Sequence, residues 1–173
     1  MAKRKPTHKL SDCAFFQHGW KLFQHGDLEG ARDTLLRSVD VDFDNAAAWG
    51  LLAHVYEAME EPEHAAEAGR QAIRSAPEDP HWYVLAGVKL VGLKLLDEAF
   101  SKLNKAIELD PKYAEAYFNR AVAFAMKNDS TQAIGDLNNA LKLDKSLFDM
   151  LDHIEHFEAL KSMEGFPDRP PGV

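Results

Sequence analysis

The sequence predicts an all-α chain, a solenoid of tandem helical hairpins. Three observations predict it. A pattern repeats every 34 residues without insertion or deletion, each repeat carries two helical apolar stripes, and a turn signal separates the stripes.

The repeat is read down its columns. Phe15, Trp49, Tyr83 and Tyr117 form an aromatic column. Four residues on, Gly19, Ala53, Gly87 and Ala121 are all small. Three further on, Leu22, Tyr56, Leu90 and Phe124 are all large. Positions i, i+4 and i+7 share one helix face, so these columns define the first helix of each unit. Ala31, Ala65, Ala99 and Ala133 open a second stripe. It continues through Leu35, Gly69, Leu103 and Leu137 to Ser38, Ala72, Ala106 and Ala140. The units are residues 12–45, 46–79, 80–113 and 114–147.

The connections follow in order. Gly26-Asp27 and Asn128-Asp129 join a residue that tolerates the left-handed conformation to one that caps the next helix. Glu61-Pro62 places a proline in the first turn of the second helix of unit two. In unit three, "GLKLLDEAF" is weaker, with Lys94 where Gly or Asn fits more easily. Pro77 and Pro111 end second helices. The spacing of Trp49, Leu52, Ala53 and Tyr56, then Ala65, then Pro77, resembles the tetratricopeptide repeat, as do "AEAYFNRAVAF" and "ALKLD" in the last unit. The resemblance covers residues 12–147 and implies a right-handed superhelical solenoid. The chain departs from the pattern at Gly69, which replaces a large residue and predicts a thin spot in the core. Phe43 and Lys145 stand where proline is usual.

The ends support these boundaries. Leu52 and Val55 lie on the flank of unit two that packs on the preceding unit. Unit one has His18 and Lys21 there, as a first repeat requires. After unit four, Leu147, Leu151, Ile154, Phe157 and Leu160 predict a ninth helix over residues 148–163 that caps the stack. Its wet side would carry Asp152, Glu155 and Glu158. Residues 1–11 read as a flexible basic arm and residues 164–173 as a flexible tail.

Composition narrows the function. The net charge is -8, and four of the 20 basic residues sit in the arm, leaving an acidic body unsuited to nucleic acid. The opening "MAKRKPTHKL" has no apolar run behind its charges, so no secretory signal is expected. No stretch reaches the roughly 18 apolar residues of a membrane span. The single cysteine, Cys13, suits a reducing, cytoplasmic setting. "GVKLVG" lacks the Lys-Ser/Thr of a phosphate loop, and Cys13 has no base implied beside it. His153 and His156 are spaced for a metal but lack a further ligand motif. The reading is therefore of a non-catalytic protein without cofactor or metal.

In the family it resembles, the first helix of every pair lines a concave groove. The residues beside the core stripe can then be read off each unit. Unit one offers Cys13, Phe16, Gln17, Trp20, Phe23 and Gln24; unit two offers Ala47, Gly50, Leu51, His54, Glu57 and Ala58. Unit three offers His81, Val84, Leu85, Val88, Val91 and Gly92; unit four offers Glu115, Phe118, Asn119, Val122, Ala125 and Met126. This surface is mostly apolar and lacks the Lys, Asn and Arg cluster by which one subfamily grips a chaperone's terminal carboxylate. It suits an apolar or amphipathic segment of a partner protein, which makes the chain an adaptor. A small secretion or assembly chaperone and a self-assembling scaffold remain as alternatives, as does occlusion by the chain's own tail with Phe166 as plug.

Overall fold

The computed structural model describes residues 10–151 and 153–168, with side chains from Ala14 onward. Residues 1–9, 169–173, Asp152 and the Cys13 side chain lie outside the described part, and with them most of the expected arm and half of the expected tail. Helices pair as the repeat requires: α1 (Leu10–Gln24) with α2 (Leu28–Val41), and α3 (Ala46–Ala58) with α4 (Pro62–Ser75). Then α5 (Pro80–Gly92) pairs with α6 (Leu96–Leu109), and α7 (Ala114–Met126) with α8 (Ser130–Leu143). No strand occurs among the described residues. The first compact unit ends at Pro77 and holds α1–α4; the second begins at Glu78 and holds the rest.

The turn inside each hairpin is one structure built four times. Gly26, Glu60, Lys94 and Asn128 take positive φ of 79°, 61°, 60° and 60°. The next amide reaches back over the left-handed residue: Asp27 to the Leu22 carbonyl, Glu61 to Tyr56, Leu95 to Leu90 and Asp129 to Phe124, at 2.8–3.0 Å. These bonds satisfy carbonyls that a helix end otherwise leaves open. Asp27 and Asp129 then cap the second helix by accepting from the Gly30 and Gln132 amides, whereas Glu61 and Leu95 make no such bond.

The aromatic column has a polar use as well as a packing one. Trp49 Nε1 donates to the Phe43 carbonyl at 2.8 Å, and Tyr117 Oη donates to the Pro111 carbonyl at 3.2 Å. Phe43, standing in the proline position, also meets Trp49 edge-on with ring centroids 5.4 Å apart. Phe15, whose ring has no polar atom, lies under the Arg37 guanidinium at 4.4 Å.

Small residues set the helix approach. A Cβ added at Gly19 would lie 2.7 Å from Leu35 Cγ, and one at Gly87 the same distance from Leu103 Cγ. Gly69 is the exception, because a Cβ there meets nothing within 4 Å. In the first unit, Leu35, Leu52 and Val55 form a fully buried centre. His18 and Lys21, the polar flank of α1, are exposed.

The end of the chain departs from expectation. Residues 148–163 are not one helix. After a 3-10 turn (Lys145–Leu147) comes a four-residue α9 (Phe148–Leu151), and a second 3-10 turn spans Glu155–Leu160. The spacing explains the break. Leu151, Ile154, Phe157 and Leu160 fall three residues apart. In an α-helix that spacing drifts about 60° per step, which would put Leu151 and Leu160 on opposite sides. A 3-10 turn, with three residues per turn, aligns them. The segment still covers the second unit: Leu147, Phe148, Leu151, Phe157 and Leu160 are buried against α7 and α8.

Candidate partner-binding surface

The first unit presents an aromatic stripe. Trp20 of α1 is 45% exposed, and its ring lies 6.3 Å from Phe23, tilted by 42°. Phe23 and Phe16 are half-buried on the rim of the α1–α4 core, and Gln17 is exposed beside them. The polar flank of α1 leaves this stripe as its main apolar outer surface. On α3, His54 and Glu57 are half-buried, with His54 Nδ1 3.6 Å from Glu57 Oε2 one turn on. Leu51, expected on the surface, is 5% exposed and belongs to the core. Helix α3 packs against both α2 and α4, so few of its positions face outward, and Leu51, next to the buried Leu52, falls inside.

In the second unit the predicted residues divide further. Val84 is buried beside Leu103 and Ala106, so it is core rather than surface. Leu85 is half-buried, and Val88, one turn on, is exposed. His81 is exposed; its Nδ1 lies 3.2 Å from Tyr113 Oη and its ring meets Trp82 edge-on at 4.7 Å. Burial pushes the Tyr113 phenol up, so the hydroxyl stays protonated at neutral pH and can donate to that nitrogen when it is bare. On α7, Asn119 is held to its own helix by a 2.7 Å bond from Nδ2 to the Glu115 carbonyl, and Met126 is half-buried.

Phe118 is the largest correction. It is 2% exposed and lies under Phe157, ring centroids 5.8 Å apart and nearly perpendicular. Val122 and Ala125 pack on the rim of the same cluster. The chain's own C-terminal segment covers Phe118.

Two features escaped the column reading. Arg120 of α7 grips Asp136 of α8 with two bonds of 2.6 and 2.8 Å, while its third nitrogen donates to Asn104 of α6. Asp136 raises the guanidinium's pKa further, which holds Arg120 charged. The signal was an unlike pair, Arg120 and Asp136, in columns where α3 and α4 carry Leu52 and Ala68. The second feature is the α5–α6 turn, where Leu93 and Leu95 are 67% and 46% exposed. The other three turns carry polar tips there or beside it, and that contrast was readable. Among the described residues no three His, Cys, Asp or Glu side chains are grouped to hold a metal, and no helix is long and apolar enough to cross a membrane.

Helical hairpins repeating every 34 residues define an all-α helical-repeat solenoid. The tetratricopeptide repeat model matches residues 16–80, and a second model of the same repeat matches residues 95–128. Over 57 residues the chain is 47% identical to Tetratricopeptide repeat protein 36 of Caenorhabditis elegans, a match covering 33% of this chain and 32% of that one. It thus spans about a third of that relative's length. Among solved structures, PilF of Pseudomonas aeruginosa is similar with a TM-score of 0.71 and 22% identity, covering 87% of this chain and 75% of that one. PilW, described as a widely conserved type IV pilus biogenesis factor, is similar at 0.74 and 21%, covering 88% and 72%. A thermophilic repeat protein of Thermus thermophilus is similar at 0.71 and 19%, covering 89% and 85%. The chain is a tetratricopeptide-repeat protein, and that repeat is a protein-interaction module.

Proposed function

We propose that the chain is a non-catalytic adaptor that binds an apolar or amphipathic segment of another protein, with the densest contact on α1. The observation that carries this is Trp20, 45% exposed beside Phe23 and Phe16. The repeat does not ask for these aromatics. The positions matching Trp20 in the other hairpins hold His54, Val88 and Val122; those matching Phe23 hold Glu57, Val91 and Ala125. Burying an aromatic side chain contributes roughly 1.5–3 kcal/mol. Trp20 has the most area left to bury, and the open parts of Phe16 and Phe23 with the aliphatic contacts around them add to it. Gln17, His54 and Glu57 supply polar contacts on the first unit. On the second, Leu85 and Val88 supply apolar contacts, and His81, Asn119 and Met126 peripheral ones. The lone cysteine, Cys13, fits a reducing, cytoplasmic setting.

Affinity capture from cells tests the reading, comparing the wild type with Trp20→Ala and with Leu85→Glu, each checked for helicity by circular dichroism. Loss of the captured partner by Trp20→Ala is the expected result. An unchanged partner set with both variants sinks the proposal.

A further inference from the structure

The segment that closes the second unit is held like a bound peptide. From Leu151 its apolar residues run at three-residue steps: Leu151, Ile154, Phe157, Leu160, Met163 and Phe166. The 3-10 turn over Glu155–Leu160 brings positions i and i+3 onto one side. Phe157 and Leu160 enter the cluster on α7 and α8, while Ile154 and Phe166 sit half-buried at its rim. Asn138 Nδ2 of α8 donates to the Gly165 carbonyl at 2.9 Å and fixes the far end. After Leu143 the longest α-helix among the described residues has four residues. Pieces so short do not hold themselves; they are ordered by what they lie against.

What they lie against is the predicted binding surface. Phe118, beneath Phe157, occupies the same repeat position as Phe16, which is only half-buried on α1. Val122 and Ala125, one and two turns on from Phe118, pack on the rim of the cluster that Phe157 and Leu160 enter. The chain therefore displays both a site and a ligand for it.

We infer that the α7 face around Phe118, Val122 and Ala125 is a peptide-binding site that residues 154–166 occupy in cis. Its ligand in trans is a partner-protein segment carrying three apolar residues at three-residue spacing. The inference rests on the protein-binding reading above and names a second site within it, closed until the C-terminal segment lifts. A partner then binds with its intrinsic affinity reduced by the fraction of chains that are open. The partner's pattern follows from the segment it replaces: large apolar residues matching Ile154, Phe157 and Leu160, separated by pairs of exposed residues such as Glu155-His156 and Glu158-Ala159.

The test uses the full chain and a fluorescent synthetic peptide of residues 153–168 as the probe in trans. Phe157→Ser and Leu160→Ser each lift the segment; circular dichroism checks that α1–α8 persist. The expected result is peptide binding at least tenfold tighter to either folded variant than to wild type, weakened again when Phe118→Ala is added. Equal binding to wild type and variants overturns the inference. Loss of helicity in both variants also overturns it, because the segment is then an inseparable part of the core. A wild-type chain that dimerises with concentration by light scattering, and reverts to monomer with the peptide, puts a second copy in the partner's place and overturns the assigned occupant. Trp20→Ala leaves peptide binding unchanged if the two sites are separate. Failure here therefore reads differently from failure of the α1 surface.

Discussion

Phe16 and Phe118 stand at the same position of the first and last hairpins, 102 residues apart, and meet opposite fates. Phe16 is half-buried on a helix whose neighbour in the stripe, Trp20, is open to solvent; Phe118 is sealed under Phe157. A second pair of positions shows the same divergence. Leu52 and Ala68 are buried apolar neighbours on α3 and α4, whereas Arg120 and Asp136, in the same columns, form a two-bond ion pair on α7 and α8. The repeat framework of aromatic, small and large residues fixes where helices go. The columns beside it are free, and each hairpin fills them according to what lies over it. Residues that look equivalent in an alignment of the four units are therefore not equivalent in energy.

Alanine at the two Phe positions should expose the largest difference. Phe118→Ala removes a fully enclosed ring and leaves a cavity, a loss of roughly 3–5 kcal/mol. Phe16→Ala removes a ring that is already partly wet, a loss of about 1 kcal/mol. Urea unfolding followed by circular dichroism measures both; equal losses would mean that the cover over Phe118 contributes nothing. The ion pair comes next. Asp136→Ala strands the Arg120 guanidinium, whose side chain is 21% exposed, and should cost about 2–3 kcal/mol. The double change Arg120→Leu/Asp136→Ala copies the α3–α4 solution and should recover most of that loss, as apolar replacements of buried pairs do. If the double variant is no better than the single, Asn104 and the ring faces of Tyr117 and Phe124 hold more of the guanidinium's stabilisation than Asp136 does.

How much of this was legible follows from the same distinction. The hairpins were readable because a 34-residue period constrains many columns at once, and helix starts at residues 46, 80 and 114 keep that period. The polar flank of α1 was readable because His18 and Lys21 stand in the columns where α3 carries Leu52 and Val55. The surface was legible only in part. Leu51, Val84 and Phe118 share a helix face with exposed residues, and sequence spacing does not say which member of a face a later segment covers. The closing segment was misread because Leu147 and Leu151, four apart, start an α-helical stripe. The three-residue steps that follow from Leu151 to Leu160 were the signal for a 3-10 turn.

Gly69 offers a smaller effect with the opposite sign. It occupies the column of Leu35, Leu103 and Leu137, and Gly19 and Gly87 are pressed against Leu35 and Leu103 of that column. Since a Cβ at Gly69 meets nothing within 4 Å, Gly69→Ala should stabilise the α3–α4 hairpin by about 1 kcal/mol through helix propensity alone. Gly19→Ala, by contrast, should destabilise α1–α2, because the new carbon overlaps Leu35. A calorimetric midpoint that falls in Gly69→Ala would contradict the open space at Gly69, and one that rises in Gly19→Ala would contradict the overlap with Leu35.

The smallest effect separates the four turns, which share a backbone but not a sequence. Gly26 and Asn128 hold the left-handed conformation with residues suited to it; Lys94 holds it with a long side chain, at φ of 60°. A non-glycine residue there costs roughly 1–2 kcal/mol, and glycine returns up to about 1 kcal/mol of that as unfolded-state entropy. Lys94→Gly should therefore stabilise the α5–α6 hairpin by about 0.5 kcal/mol, whereas Gly26→Ala should cost the α1–α2 hairpin about 1 kcal/mol. The exposed Leu95 adds to the contrast, since it caps α6 without the side-chain bond that Asp27 and Asp129 supply to their helices. Adding Leu95→Asp to Lys94→Gly should contribute about 1 kcal/mol more. Urea midpoints that fail to rise in the double variant would mean that Lys94 or Leu95 makes a stabilising contact that its exposure conceals.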